Sequence, residues 1–149
     1  MKRVLFVCTG NTCRSPMAEA ILTHMSKQKQ FPLEVRSAGI YAVPGADISP
    51  QAKEVLLKEG IHTDHCARQL SNELLEWADV ILTMTKQHKN AVLWEVPSLD
   101  KKVYTLTEYI TDDSFDIMDP YGSSVEVYRR CAEELYQHLE TLMEKWSKE

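Results

Sequence analysis

Short apolar runs alternate with longer segments of helical periodicity along this chain. Four runs, at residues 4–7, 33–37, 80–84 and 103–106, are rich in β-branched or aromatic residues, as strands covered on both faces are. Strands that alternate with helices predict a parallel sheet with right-handed crossovers. We therefore expect a single domain over residues 1–149 with a three-layer α/β fold, in which a four-stranded parallel sheet carries helices on both faces.

Start and stop signals place the first two helices. Ser15 is a candidate N-cap and Pro16 suits the first helical position, and apolar residues then recur at helical spacing. Ser49 and Pro50 repeat that signal for a second helix, and Gly60 is a natural left-handed stop.

Three further helices complete the pattern. Helical spacing recurs over residues 71–77 and 86–94, and the second segment ends near Pro97. The last helix has the clearest signal, because Ser123 and Glu126 match a capping box before a long apolar stripe. The stripe consists of Tyr128, Cys131, Leu135, Leu139, Leu142 and Trp146. We expect it to pack on the sheet, with Tyr128 and Tyr136 packed or partly exposed.

Composition and charge narrow the class of protein. Of 149 residues, 44% are hydrophobic and 26% charged, as in ordinary folded globules. The 17 basic and 22 acidic residues give a net charge of -5, which argues against nucleic acid as the main partner. The first apolar run is too short for a signal sequence or a membrane span. We expect a cytoplasmic protein without a membrane partner, and a monomer rather than an oligomer.

The four cysteines do not form a structural pattern. Without an export signal a disulfide framework is not expected, and no Cys-x-x-Cys pair or His pair at ligand spacing indicates a metal site. Cys66 and Cys131 are predicted to be packing residues. Cys8 and Cys13 share one loop, so a reversible disulfide that protects Cys8 from overoxidation is a hypothesis.

Residues 8–15, with the sequence Cys-Thr-Gly-Asn-Thr-Cys-Arg-Ser, carry the clearest chemical signal. They join a strand to a helix at the carboxyl edge of the sheet, where ligands bind. Successive amides of a tight loop form an anion nest, to which the helix end and the planar donors of Arg14 add. Gly10 and Asn11 best tolerate the positive φ that such a loop requires. The segment predicts a phosphoryl-binding cup lined by Thr9, Gly10, Asn11, Thr12 and Cys13.

Cys8 is placed at the base of this cup. The amide dipoles, the helix end, Arg14 and the Ser15 hydroxyl are expected to favour its thiolate, which is the nucleophilic form. The alternative is a buried apolar cysteine that ends a strand. The surrounding loop residues favour the nucleophile.

Asp119 offers an acid for the leaving group of such a reaction. It begins a turn, Asp-Pro-Tyr-Gly at residues 119–122, just before the last helix. Asp119 can protonate the leaving atom and then activate water as a base. The alternative is an ordinary turn-forming Asp-Pro pair, which turn chemistry alone favours over a catalytic role.

Four segments together resemble the low-molecular-weight protein tyrosine phosphatases. They are residues 8–15, Ser-Ala-Gly at 37–39, His-Cys-Ala-Arg-Gln-Leu at 65–70 and residues 119–122, in the family's order over nearly the whole chain. The resemblance implies a four-stranded parallel sheet, no metal or cofactor, and a two-step reaction through a phosphocysteine on Cys8.

The same resemblance implies roles for individual residues. Arg14 clamps the phosphoryl group and Asp119 is the general acid, whereas Asn11, Ser15, Ser37 and His65 form the hydrogen-bond network that holds the loop. Without the resemblance, His65 is a solvated or core histidine and Ser37 a turn residue at a strand end.

Thr12 and Gly122 depart from the tyrosine-directed pattern. Many tyrosine-directed members have a larger aliphatic residue at the first position and a second aromatic residue at the other. Both features resemble the bacterial protein-arginine phosphatases, whose substrates are phosphorylated arginine side chains of proteins. A desolvated guanidino group needs acceptors for its N–H donors, and the Thr12 hydroxyl and the Asp119 carboxylate can supply them. The alternative for Thr12 is a small loop residue whose side chain is turned aside.

Other functions remain open on the sequence. A tyrosine phosphatase with a permissive pocket is the nearest, and Tyr121 and Tyr41 are expected to form the walls of its entrance or of an arginine pocket. An arsenate reductase needs a nearby pair of relay cysteines, for which Cys66 and Cys131 are too isolated. A non-catalytic phosphate-binding module needs neither a thiol nor an acid.

Overall fold

The computed structural model describes residues 1–111, 113 and 115–149. In chain order its elements are β1 (Lys2–Cys8), α1 (Arg14–Gln28), β2 (Leu33–Gly39), α2 (Pro50–Lys58), α3 (Asn72–Trp77), β3 (Val80–Thr83), α4 (Lys86–Glu95), β4 (Val103–Thr105), α5 (Leu106–Ile110) and α6 (Val125–Ser147). A short 3-10 helix, Pro97–Leu99, precedes β4. Within the described residues the strands form one parallel sheet in the order β2-β1-β3-β4, which confirms the predicted sheet.

The side chains of β1 alternate between two apolar layers. Val4 and Phe6 pack in a core shared with α1, α2 and α6, whereas Leu5 and Val7 pack on the opposite face with α3 and α4. All four side chains are fully buried. Coverage on both faces explains why the strand is a continuous apolar run and not an alternation of apolar and polar residues. The predicted three-layer arrangement is confirmed.

Hydroxyl side chains cap five of the helices at their amino ends. Each accepts a hydrogen bond from a first-turn backbone N–H that has no partner within the helix. The caps are Ser49, Ser71, Thr85, Thr105 and Ser124. Among the described residues no helix is both long and apolar enough to cross a bilayer, although α6 has 23 residues.

Two predicted helix starts are wrong. Ser15 lies inside α1, which begins at Arg14 after Cys13 and has no side-chain cap. In the first turn of α1, the backbone N–H of Ser15 donates to the Cys8 thiol. Ser124, and not Ser123, caps α6, so Glu126 lies one position too early to complete a capping box.

The run at residues 103–106 contains the end of one element and the start of the next. β4 ends at Thr105, whose side chain forms a capping box with Glu108, and Leu106 already belongs to α5. The apolar pattern alone did not separate them, because a buried strand and a buried first helical turn have the same composition. β3 also ends one residue earlier than predicted, at Thr83.

The carboxyl end of β1 lies where the order of the strands reverses. β1 is paired with β2 on one side and with β3 on the other, so connections leave it in opposite directions. Such a point opens a crevice beyond the strand ends. Residues 9–13 fill this crevice between β1 and α1, and Cys8 is in register with Gly39 at the end of β2.

Gly39 allows this loop to pack directly against β2. A Cβ atom at residue 39 would lie 2.5 Å from the carbonyl oxygen of Thr9 and 2.9 Å from the nitrogen of Asn11. Both are backbone atoms that cannot rotate away. The close approach therefore requires the absence of a side chain.

We predict that Gly39→Ala displaces the loop and lowers the free energy of unfolding by about 1–3 kcal/mol, the usual cost of overpacking. Urea denaturation measures this change. Gly10→Ala is the matched control within the loop, because a Cβ there meets only Thr12 Oγ1, at an ordinary distance of 3.8 Å. Equal unfolding free energies for the two variants would contradict the close packing at Gly39.

Candidate active site

A cleft of about 250 Å³ opens at the carboxyl end of β1. It is lined by Cys8, Thr9, Gly10, Thr12, Cys13, Arg14, Asp119 and Tyr121. The first six belong to the loop and the start of α1, and the last two to the segment before α6. The fold therefore places the predicted nucleophile, cation and acid around one cleft.

Asn11 fixes the shape of the loop. It adopts a left-handed conformation with φ of 57°, which Asn tolerates better than most residues. Its side-chain nitrogen donates to the hydroxyls of Ser15 and Ser37, both at 2.9 Å, and its side-chain oxygen accepts from the backbone N–H of Arg68 at 2.9 Å. Gly10 does not have a positive φ, so the prediction for that residue is wrong and Asn11 alone turns the loop.

His65 and Glu19 support the loop from behind. His65 Nε2 donates to the carbonyl oxygen of Asn11 at 2.8 Å, because a carbonyl can only accept. The Glu19 carboxylate accepts from the Ser37 hydroxyl at 2.6 Å and lies 3.9 Å from His65 Nδ1. Glu19 was not predicted from the sequence. Its one signal is that it follows Ser15 by four residues, which places both on one face of α1.

Cys8 lies beneath the loop with 3% of its surface exposed and its Sγ atom 2.8 Å from the Ser15 hydroxyl. Burial raises the pKa of the Cys8 thiol, because it removes the anion from water. Hydrogen bonds from the side chain and backbone of Ser15 and the backbone of Asn11, and the charge of Arg14, lower this pKa without offsetting burial. The predicted preference for the thiolate stays a prediction, since each group named for it acts in the expected direction but burial acts against it.

Arg14 links the loop to the segment before α6. Its Nη1 donates to the carbonyl oxygen of Ile117 at 2.9 Å, and its Nη2 lies 3.6 Å from Asp119 Oδ2. The Ile117 N–H in turn donates to the Met84 carbonyl oxygen beyond β3. The Asp119 side chain is 53% exposed and accepts from the Tyr121 N–H at 3.0 Å. Asp119 thus faces Arg14 on one side and solvent on the other.

The cleft walls include Thr12 and Tyr121 but not Tyr41. Thr12 is half-buried, with its hydroxyl 3.7 Å from Cys13 Sγ, and Tyr121 is largely exposed. Tyr41 is also exposed but lines a separate cavity with Ile40 and Gln69, so its predicted place at the entrance is wrong.

The four cysteines are free thiols. Cys13 Sγ lies 3.2 Å from the hydroxyl of Tyr128, and burial raises the pKa of Tyr128 to about 12. Cys131 is buried on α6, as predicted, but Cys66 is exposed. The segment around Cys66 is held through its backbone, by a bridge to Asp47, so the prediction of a packing role for Cys66 is wrong. A disulfide between Cys8 and Cys13 stays a prediction.

His88 contacts the loop from α4. This residue too was not predicted from the sequence. Its Nε2 lies 2.8 Å from Thr9 Oγ1, and the residue is 7% exposed. This contact joins the loop after β1 to the first turn of α4. A single histidine in a polar helical segment gives no sequence signal for such a contact.

Comparison with known proteins places the chain in a family. The family model for low molecular weight phosphotyrosine protein phosphatase matches residues 3–149. Proteins named protein-arginine-phosphatase are 40% identical in Bacillus subtilis (strain 168), over 98% of this chain and 97% of the relative, and 44% identical in Geobacillus stearothermophilus, over 96% and 95%. The low molecular weight protein-tyrosine-phosphatase PtpB of Staphylococcus haemolyticus is 38% identical over 89% and 91%.

A solved structure has the same fold over the whole chain. It is a cysteine-to-serine mutant of the YwlE arginine phosphatase with a phosphorylated active-site serine. Its TM-score is 0.96 at 39% identity, and the match covers 99% of this chain and 97% of that one. By its fold, its loop and these matches, the chain belongs to the low molecular weight phosphotyrosine protein phosphatase family.

Proposed function

We propose that the protein is a cysteine-dependent phosphatase that hydrolyses phosphoarginine side chains of protein substrates. The cleft in which Cys8, Arg14 and Asp119 meet beside the Thr12 hydroxyl is the main support. The two relatives named for arginine phosphatase activity support the substrate class, and the phosphorylated serine of the YwlE mutant supports a covalent intermediate.

In the first step Cys8, as its thiolate, attacks the phosphorus atom of the substrate through Sγ and forms the sulfur–phosphorus bond. The loop amides and Arg14 bind the phosphoryl oxygens as negative charge shifts onto them. The bond between phosphorus and the guanidino nitrogen breaks, and Asp119 donates a proton to the departing nitrogen. The exposed face of the Asp119 carboxyl suits this role, because the leaving group must lie on the solvent side of the phosphoryl group.

In the second step water releases the phosphoryl group from Cys8. Asp119, now ionised, takes a proton from the water that attacks phosphorus. The bond between sulfur and phosphorus breaks, which returns the Cys8 thiolate and inorganic phosphate. The hydrogen bonds on Cys8 from Ser15 and Asn11 stabilise this thiolate as the leaving group.

We assign the selectivity for phosphoarginine to hydrogen-bond acceptors in the wall of the cleft. A phosphorylated guanidino group carries N–H donors that lose water when they enter the cleft, and Thr12 and Asp119 provide oxygen atoms for them. Tyrosine dephosphorylation is the second candidate function. It is favoured by the 38% identity to PtpB and by Tyr121, whose exposed ring can contact an aryl group.

We predict that Cys8→Ser loses turnover by on the order of a thousandfold or more, because a serine hydroxyl is a far weaker nucleophile than a thiolate. Phosphate affinity, measured by calorimetry, is expected to stay within about threefold, since the donors of the loop remain. Full activity in this variant would eliminate the covalent mechanism, and a non-catalytic binding module would show no turnover in either protein.

We predict that Asp119→Asn lowers kcat by roughly 100-fold to 10,000-fold, the usual contribution of a general acid and base. Asp100→Asn, at an exposed carboxylate outside the cleft, is the matched control and should leave kcat unchanged. Equal kcat values for the two variants would remove Asp119 from the mechanism.

We predict that the protein turns over a phosphoarginine peptide faster than a matched phosphotyrosine peptide. Thr12→Val removes one hydroxyl at nearly constant volume and should lower kcat/KM for phosphoarginine by about tenfold to a hundredfold, as loss of a buried hydrogen bond does. It should leave phosphotyrosine turnover unchanged. A preference of the wild type for phosphotyrosine would reverse the proposed specificity.

A further inference from the structure

His88 lies behind the loop in the first turn of α4. Its backbone N–H donates to the Thr85 hydroxyl that caps this helix, which fixes where the ring can lie. The ring Nε2 is 2.8 Å from Thr9 Oγ1. The ring Nδ1 is buried and has no hydrogen-bond partner among the described residues. Among the described residues, the one hydrogen bond of the His88 ring is therefore the bond to the Thr9 hydroxyl.

The surroundings of His88 keep its ring neutral. Burial lowers the pKa of His88 to about 4, and the charge of Arg14 acts in the same direction. Asp116 and Asp119 act in the opposite direction without offsetting burial. The amino end of α4 adds a positive potential that also disfavours a cation. A neutral imidazole carries one N–H, so its two nitrogen atoms must play different roles.

The unpartnered Nδ1 distinguishes the two tautomers. A hydrogen on Nδ1 would leave a buried N–H donor unpaired, which folded proteins strongly avoid. A hydrogen on Nε2 is instead donated to Thr9 Oγ1, and Nδ1 keeps only an unused lone pair. In this second arrangement the Thr9 oxygen is the acceptor, so the hydroxyl hydrogen of Thr9 is free to be donated elsewhere.

We propose that His88 is a positioning residue that makes the Thr9 hydroxyl a hydrogen-bond donor to the phosphoryl oxygens of the substrate. Thr9 is exposed and lines the cleft with Cys8 and Arg14. Its hydroxyl thus adds a side-chain donor to the backbone donors of the loop. His88 on α4 sets the direction in which this hydroxyl donates. This role rests on the proposed function only in that the cleft binds a phosphorylated group.

The tautomer is tested by nitrogen–proton correlation NMR of the histidine side chains, with His88→Gln used to assign the signals. In the wild type at pH 7 we expect His88 to carry hydrogen on Nε2 and none on Nδ1, and to stay neutral down to about pH 5, given its lowered pKa. Hydrogen on Nδ1, or a cationic ring at pH 7, would overturn the proposal.

The coupling between His88 and Thr9 is tested by binding of inorganic phosphate, measured by calorimetry. Thr9→Val and His88→Leu should each weaken phosphate binding by on the order of tenfold, as expected for one hydrogen bond to an anion. The double variant should be no weaker than the weaker single variant, because both changes remove the same bond. Losses that add in full would show that His88 acts through packing and would overturn the proposal.

Two further variants separate positioning from structure. His88→Gln keeps an amide N–H near the position of Nε2 and should restore phosphate affinity to within about threefold of the wild type. His62→Gln, at an exposed histidine outside the cleft, is the control and should bind phosphate normally. If His88→Leu does not fold, the tautomer and the effect of Thr9→Val decide the question. These measurements involve no turnover, so absence of phosphoarginine hydrolysis would refute the proposed function and not this role.

Discussion

The site depends on a loop, residues 9–13, that belongs to neither a helix nor a strand. Such a loop lacks the repeating hydrogen bonds of regular structure, so other groups must hold it. Asn11 supplies most of that hold through three side-chain bonds to α1, β2 and the segment near Arg68. His65 supplies a fourth bond, to the Asn11 carbonyl oxygen. The shape of the loop is therefore set by two side chains, Asn11 and His65, that do not line the cleft.

Cys8 and Asp119 differ in how deeply they are buried and how closely their neighbours contact them. Cys8 follows four fully buried residues of β1, and its sulfur contacts the buried hydroxyl of Ser15 at 2.8 Å. Asp119 is half-exposed and meets Arg14 only at 3.6 Å. The backbone at Ile117 anchors the Asp119 segment through Arg14 and Met84. This difference suits the proposed reaction, in which Cys8 is the nucleophile and the leaving group and water reach Asp119 from solvent.

Much of the fold and the cleft could be predicted because the relevant signals are local. Buried strands, helix caps and a loop with Cys and Arg at fixed spacing are readable from neighbouring residues. The boundary between β4 and α5 was not, because both sides of it are apolar. Glu19 and His88 were missed for a different reason. Their importance comes from which residues the sheet brings against them, and neither belongs to a motif. The pKa of Cys8 likewise depends on depth of burial, which the donors around it do not reveal.

The network around Asn11 is assembled from segments spread along the chain. Ser15 follows it by four residues, Ser37 lies in β2, and Arg68 comes from a later connection. Ile117, which accepts a hydrogen bond from Arg14 beside this network, comes later still. During synthesis on a ribosome, Cys8 therefore emerges long before the residues that shape its surroundings, and its thiol acquires its folded environment only after those later segments have been made.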